Sequence, residues 1–263
     1  MSVIFPVAWQ DLIILLTYRC NLFCGNCIAG CGKFPCGDKG DIDLLQIERL
    51  FQQADACGWK WRRIWVSGGE PTLHPQVLEI IKLLRGYQAS RKFQMMMVTN
   101  GTNLGIQQAI LAQGGWYFCN PDGSHMWQLE KDFIINTQKT TAGIMAHKTM
   151  YIAPMDVPAL AGRDFSVGCG ILTECAPTFN KYGLYACPGA PTIDRIIGMD
   201  IGIKNFQGFI TNESQLQQVC KYCGEYKFYS GLPFSDSREW LLSPTWVELK
   251  KKYDAAPPTL TPF

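Results

Sequence analysis

The chain has no run of 18 apolar residues, so no segment of it is expected to cross a membrane as a helix. It has no excess of either charge: the formal net charge is +2 over 263 residues, which gives no electrostatic case for nucleic acid or an anionic membrane as partner. The opening "MSVIFPVAWQDLIILLTYRC" lacks a basic leader and Asp11 interrupts its apolar run, so no export signal is expected and a cytoplasmic setting is. There is no internal repeat, and no low-complexity segment beyond the ending "YDAAPPTLTPF", which reads as an extended tail. At 263 residues the chain is longer than the small secreted scaffolds that disulfides hold together. It has room for one large α/β domain, or a medium domain and a small one.

Cysteine is abundant, with 12 in the chain. In a reducing compartment, clustered thiols hold metal or do redox chemistry, while isolated ones fill the core. Cys57 and Cys119 read as core fillers. Five others fall within "TYRCNLFCGNCIAGCGKFPC", at 20, 24, 27, 31 and 36, and five more stand at 169, 175, 187, 220 and 223.

The first half alternates strand and helix patterns. "DLIILL" (11–16) reads as a buried strand, and 43–57 as a helix with Asp41 or Asp43 as its cap. "RRIWVSGGEP" is a strand entering a Gly-Gly turn, and "PQVLEIIKLLRGY" a helix ending near Gly86. "FQMMMVTNGT" is strand then turn, "LGIQQAILAQGG" a helix with a glycine stop, and "GWYFCNP" and "HKTMYIAPMD" further strands. Residues 121–146 carry no assigned element. This order predicts parallel βα units. After about residue 160 glycines and cysteines become frequent, and "KYGLYACPG" reads as a hairpin.

Cys20, Cys24 and Cys27 are spaced C-x3-C-x2-C. Three thiolates on one loop can hold three irons of a cubane and leave the fourth open to a small chelating molecule, whereas a closed structural site takes four ligands. This triplet after the first strand, followed by "SGGEPTLHP" (67–75) after the second, resembles the radical S-adenosylmethionine (radical SAM) enzymes over most of residues 11–155. The resemblance implies a [4Fe–4S] cluster on Cys20, Cys24 and Cys27, chelated by S-adenosylmethionine. It places Gly68, Gly69 and Glu70 along the methionine amino group and Thr99 and Asn100 at a cofactor-contacting strand end. It further implies reductive cleavage to a 5′-deoxyadenosyl radical that abstracts hydrogen from substrate, with a flavodoxin or ferredoxin as reductant. Asn26 stands where the family commonly has an aromatic residue, and Cys31 and Cys36 read as plain loop thiols.

The later cysteines, Cys169-x5-Cys175-x11-Cys187 and Cys220-x2-Cys223, resemble the auxiliary-cluster domain called SPASM in its longer form and twitch in its shorter one. One auxiliary [4Fe–4S] cluster is implied, since the two further cysteines of the long form are absent. Five candidates compete for four positions: Cys187, Cys220 and Cys223 first, then Cys169, with Cys175 as its replacement or companion. A zinc site is the competing reading.

The expected fold is therefore α/β: a partial (β/α) TIM-like barrel (1–160), a small Cys-rich auxiliary-cluster domain (161–239) and a C-terminal tail (240–263) whose Trp240, Leu241, Leu242 and Trp246 pack on the barrel or cover its open side. The expected function is a radical SAM oxidoreductase carrying out a two-electron oxidation of a small molecule, with the auxiliary cluster as electron acceptor. Asp156, Arg163 (or its neighbour Asp164) and His147 are candidate substrate-site groups, one of them needed to take a proton from a hydroxyl-bearing radical. Trp116 and Tyr117 read as core. A peptide-modifying maturase is the alternative enzyme, disfavoured by the 19 residues that precede Cys20. A non-catalytic zinc or iron–sulfur protein is the alternative outside enzymes.

Overall fold

The computed structural model describes residues 10–25, 27–119, 132–137, 150–207, 213–225 and 241–263. Strand β1 (Asp11–Leu15) is apolar after its first residue because it is covered on both faces, with Leu12 and Ile14 fully buried. Helix α1 (Leu44–Ala56) starts at Asp43. The Asp43 carboxylate accepts the Gln46 N–H at 2.7 Å, and the Gln46 side chain accepts the Asp43 N–H at 3.1 Å. Ile47, Leu50, Phe51 and Ala54 form its buried stripe. Asp41, the other capping candidate, pairs with Arg19 instead.

Strand β2 (Arg63–Ser67) leads to α2 (Val77–Arg91), β3 (Gln94–Thr99), α3 (Leu104–Ala112) and β4 (Trp116–Cys119). Helix α2 does not stop near Gly86. It runs to Arg91 and ends where Lys92 turns left-handed at φ 57°. Glycine inside a helix costs about 1 kcal/mol, and contacts beyond it outweigh that. Tyr87 stacks on Phe51 with centroids 4.1 Å apart, and Gln88 donates to the Phe93 carbonyl at 2.8 Å.

Within 121–146, where no element was expected, the chain forms β5 (Asp132–Asn136). It enters between β3 and β4, parallel to both. Asp132 obscures the strand in the sequence, yet it is buried for a reason: it accepts the Met95 N–H at 2.6 Å and pairs with Arg85. The strand expected over 147–156 is absent from the described part of that segment. Residues 154–156 form a 3-10 turn, and 147–149 lie outside the described residues.

Short helix α4 (Ile171–Glu174) precedes a hairpin of β6 (Thr178–Asn180) and β7 (Gly183–Tyr185). Strand β6 pairs in parallel with β1, so the hairpin lengthens the main sheet. The described strands form one open seven-stranded sheet in the order β4-β5-β3-β2-β1-β6-β7, parallel except for β7. The fold is α/β with an open sheet.

There are two apolar cores, and each draws residues from both sides of the boundary expected after residue 160. The first core lies against α1–α3 and also takes Phe179, Leu184, Phe206 and Phe263 from beyond it. The second gathers Phe34, Tyr151, Tyr185 and Trp246 with helices α5 (Ala190–Ile197), α6 (Glu213–Val219) and α7 (Pro244–Ala255). The C-terminal end is docked, not free: Phe263 packs edge-on to Phe179 with centroids 4.7 Å apart, and its N–H donates to the Lys181 carbonyl at 2.9 Å. Trp246 is fully buried and meets Phe34 and Tyr151, so α7 covers the second core. Trp240 lies outside the described residues. Cys57 is exposed, contrary to the core role expected of it: it caps the C-terminal end of α1, beyond Ala54, the last buried residue of the helix. The side chain of Cys119 is outside the described set. Among the described residues no helix is long and apolar enough to cross a membrane.

Candidate active site

All of β1–β5 run parallel, so their C-terminal ends share one edge. The cysteine loop leaves the end of β1 and is fastened at its root. Thr17 donates its hydroxyl to Asp41 at 2.5 Å, and the Arg19 guanidinium grips the same carboxylate at 2.9 and 2.7 Å. The turn after β2 is laced onto this root: the Gly69 N–H donates to the Thr17 carbonyl and the Glu70 N–H to the Arg19 carbonyl, both at 2.7 Å. This contact explains the glycines. Gly68 has φ +154°, and a Cβ on it would lie 2.7 Å from the Thr17 carbonyl oxygen. A Cβ on Gly69 would overlap the Arg19 carbonyl and press on the Cys31 sulfur. The Gly-Gly pair allows the backbone of the cysteine loop itself to approach.

Glu70 is 1 % exposed, and its carboxylate ties β2 to β3. One oxygen accepts from the Thr72 N–H (3.1 Å), the Thr72 hydroxyl (2.6 Å) and the Thr99 hydroxyl (2.7 Å); the other accepts the Asn100 N–H at 2.6 Å. Asn100 then reaches the cysteine loop, donating its amide to the Asn21 side chain at 2.9 Å, while Asn21 donates to the Thr102 hydroxyl at 2.7 Å. Asn136, at the end of β5, lies where a Cβ on Gly101 would be. Gly68, Gly69, Glu70, Thr99 and Asn100 are thus gathered beside the loop that carries Cys20, Cys24 and Cys27. Asn21, Thr102 and Asn136 belong to the same edge and went unnoticed in the sequence, where short polar residues in turns carry no distinguishing signal.

The thiols of the loop face one another. Cys20 is pushed up to about 11 by burial and by the neighbouring Cys27, Glu70 and Cys24. Cys27 is drawn down because the Cys31 thiol donates to it and because the N–H groups of Cys31, Ala29 and Gly30 point at its sulfur. Cys24 is buried. A sulfur ringed by donors is a ready thiolate, and three thiols grouped beside a glycine turn fit a cubane that takes three protein ligands. Cys31 therefore sits inside the site, not on a plain loop. Cys36 lies further on, where its thiol donates to Asp38 at 2.9 Å. Asn26 is outside the described residues.

Cys169, Cys187, Cys220 and Cys223 line a single cavity with Ile28, Leu172, Ala190 and Leu216. Cys175 is not in its wall. Cys187 is pushed up to about 11 by burial in spite of N–H groups from Ala190 and Gly189. Among the described residues no three Cys, His, Asp or Glu side chains converge on a point where one metal ion would sit. Ile28 is the residue after Cys27, so the two cysteine sets share a wall.

The substrate-site candidates fare differently. Asp156 accepts the Thr245 N–H at 2.9 Å and its hydroxyl at 2.5 Å, which fastens the start of α7. Burial raises its carboxyl, but hydrogen bonds from Ser243 and Thr245 prevail and hold it below the usual range. A carboxylate held that way is a weak base, and its place is a helix start. Arg163 and Asp164 lie on an exposed turn, where Asp164 accepts from the Ser166 N–H at 2.9 Å. His147 is outside the described residues. Trp116 is buried as expected, whereas Tyr117 is 49 % exposed.

Two residues between the cysteine sets went unread in the sequence. Tyr151, fully buried, donates its hydroxyl to the Cys27 carbonyl at 2.6 Å. Arg195 donates to the Ala29 carbonyl at 2.8 Å. Tyr151 lay in a segment read as a strand, and Arg195 is one basic residue in a short helix.

An open, mostly parallel sheet carries a three-thiol loop and a Gly-Gly-Glu turn together at one edge. Residues 14–119 match the family description "Radical SAM superfamily". The family implies a [4Fe–4S] cluster and S-adenosylmethionine. Over 105 residues the chain is 33 % identical to a probable GTP 3′,8-cyclase of Thermococcus kodakarensis, a match that covers 40 % of this chain and 32 % of that protein. It is 28 % identical over 94 residues to the mycofactocin maturase MftC of Mycobacterium ulcerans, covering 36 % of this chain and 23 % of the relative. The match therefore spans a third or less of these curated relatives. Among solved structures, BtrN in complex with AdoMet and 2-DOIA aligns with a TM-score of 0.49 at 13 % identity, over 85 % of this chain and 89 % of that one.

Proposed function

We propose that this chain is a cytoplasmic radical SAM oxidoreductase that removes a hydrogen atom from a small molecule and passes the remaining electron to a second [4Fe–4S] cluster. The observation that carries this reading is the convergence of Cys169, Cys187, Cys220 and Cys223 on one cavity that shares Ile28 with the first cysteine loop. Four thiolates satisfy every iron of a cubane and leave none open for substrate, so electron transfer is the role left to it.

Bound at Cys20, Cys24 and Cys27, a [4Fe–4S] cluster with S-adenosylmethionine supplies a 5′-deoxyadenosyl radical on reduction. The chain's own residues aim that chemistry. Gly69 and Glu70 fix the cysteine loop against β2 through the Thr17 and Arg19 carbonyls. Glu70 and Asn100 hold the β3 end at the same edge. The Tyr151 hydroxyl, donating to the Cys27 carbonyl at 2.6 Å, holds the turn that carries the third thiol. The electron for the first cluster would come from a flavodoxin or ferredoxin.

The test is iron per chain after anaerobic reconstitution, compared with variants that replace Cys20, Cys24 and Cys27 together or Cys187, Cys220 and Cys223 together by Ala. Two cubanes require about eight irons, falling to about four in either variant. About four in the wild type, falling to none with the first triplet, would remove the electron-acceptor argument. No 5′-deoxyadenosine from S-adenosylmethionine and dithionite would remove the enzyme reading altogether.

A further inference from the structure

Arg195 stands in the last turn of α5 and is 3 % exposed. Its guanidinium donates to the Ala29 carbonyl at 2.8 Å and to the Tyr253 hydroxyl at 3.1 Å, and lies 4.3 Å from the centre of the Tyr18 ring. Its Nε finds no partner among the described residues. None of the described carboxylates pairs with it either. Asp194, next to it in the chain, accepts instead from the Tyr185 hydroxyl at 2.7 Å. Asp38, which lines the same pocket, is occupied by Cys36, Tyr182 and Lys181.

The nearest polar neighbours keep their protons in hydrogen bonds of their own: the Tyr253 hydroxyl donates to the Pro35 carbonyl at 2.9 Å and the Cys36 thiol donates to Asp38 at 2.9 Å. Arginine keeps its charge at any pH at which proteins fold. A buried charge without a counter-charge is strongly unfavourable. The surroundings say where the counter-charge belongs. Ala29 is two residues beyond Cys27, and a Cβ on Gly30 would stand 3.0 Å from the Arg195 guanidinium. Arg195 therefore lies directly under the turn that presents the third thiolate.

We propose that Arg195 is the counter-charge of the cluster held by Cys20, Cys24 and Cys27 and raises that cluster's reduction potential. The inference rests on the three-cysteine reading above. A cubane with three thiolates is anionic, and the one electron it accepts from the reductant makes it more so. A fixed cation in a low-dielectric site stabilises the reduced form more than the oxidised one. Arg195 makes no bond to the reacting atoms, so its effect on the site is electrostatic.

The experiment is a redox titration of the reconstituted full chain, followed by electron paramagnetic resonance. The signal of the first cluster is the one missing from the triple Cys20, Cys24, Cys27→Ala variant. Arg195→Gln is expected to move its midpoint to more negative potential with iron content unchanged, while Arg195→Lys stays near the wild type. Tyr253→Phe removes a hydrogen-bond partner of Arg195 and no charge, and is expected to leave the midpoint alone. An unmoved midpoint in an iron-loaded Arg195→Gln protein overturns the proposal. If Arg195→Gln holds no iron, Arg195→Lys decides: a near-wild-type midpoint supports the charge role. Loss of iron or a negative shift in the lysine variant means that the guanidinium serves only to hold Ala29, and overturns it. Absence of the first-cluster signal from the wild type would instead count against the three-cysteine reading.

Discussion

The Glu70 carboxylate accepts the backbone N–H of Asn100 at 2.6 Å, across the gap between the ends of β2 and β3. Together with its bonds to Thr72 and Thr99, this makes Glu70 the tie between the Gly-Gly turn and the strand end. Each buried donor left without an acceptor costs about 1–3 kcal/mol. Glu70→Ala strands four donors, the Thr72 N–H and hydroxyl, the Thr99 hydroxyl and the Asn100 N–H, so a loss of at least roughly 4 kcal/mol is expected by the same reckoning. Anaerobic urea denaturation of the reconstituted protein measures it. A loss below about 1 kcal/mol, the worth of one hydrogen bond, would mean that the tie is dispensable.

Gly69→Ala tests the lacing of the turn to the cysteine loop. The new Cβ would overlap the Arg19 carbonyl, a backbone atom that cannot rotate away, so the loop root must shift. Thr17 and Arg19 would lose their bonds from Gly69 and Glu70. The expected result is a fold kept by the sheet and a first cluster that is lost. Circular dichroism close to the wild type with about four irons fewer per chain is the predicted pair of readings; an unchanged iron content would show that the loop docks without this contact.

Much of this edge was legible in the sequence, and the reasons are local. The apolar run of β1, the cap at Asp43 and the Gly-Gly-Glu turn act within a few residues of themselves. What was not legible depends on distant partners. Asp132 makes β5 read as polar, and its justification is Arg85 and the Met95 N–H far back in the chain. Helix α2 passes Gly86 because Phe51 waits for Tyr87. The hairpin was visible from its glycine and aromatic residues, but not its docking on β1, which unites the sheet. Asp156 had the chemistry of a base and the location of a cap. Cys57 had the look of a core residue and sits at a helix end where the core has already stopped.

The fifth late cysteine, Cys175, tests which four of the five hold the second cluster. Cys175 is absent from the wall formed by Cys169, Cys187, Cys220 and Cys223. Cys175→Ala is therefore expected to keep the full iron content and the absorbance near 400 nm, whereas Cys169→Ala loses or destabilises the second cluster. Iron per chain and the rate of bleaching by a chelator distinguish the two. Equal losses in both variants would place Cys175 among the ligands.

Two thiols with raised pKa values, Cys20 and Cys187, are expected to make the cluster-free chain sensitive to alkali. Cys20 and Cys187 are each raised from 9.0 to about 11, chiefly by burial. The unfolded chain would ionise both near pH 9, while the folded chain holds their protons until about pH 11. A folded-state pKa above the unfolded one gives stability that is present below pH 9 and disappears as pH climbs towards 11. The apo chain is thus expected to lose denaturation midpoint steadily across that window. Ligation changes the sign of the argument. Thiolates bound to iron have already released their protons, so the reconstituted protein has no such protons left to lose and should be flat over the same range. Denaturant midpoints measured at intervals of half a pH unit, with and without iron, give both curves. Parallel curves would show that Cys20 and Cys187 are not held as buried thiols in the apo chain, or not bound to iron in the loaded one.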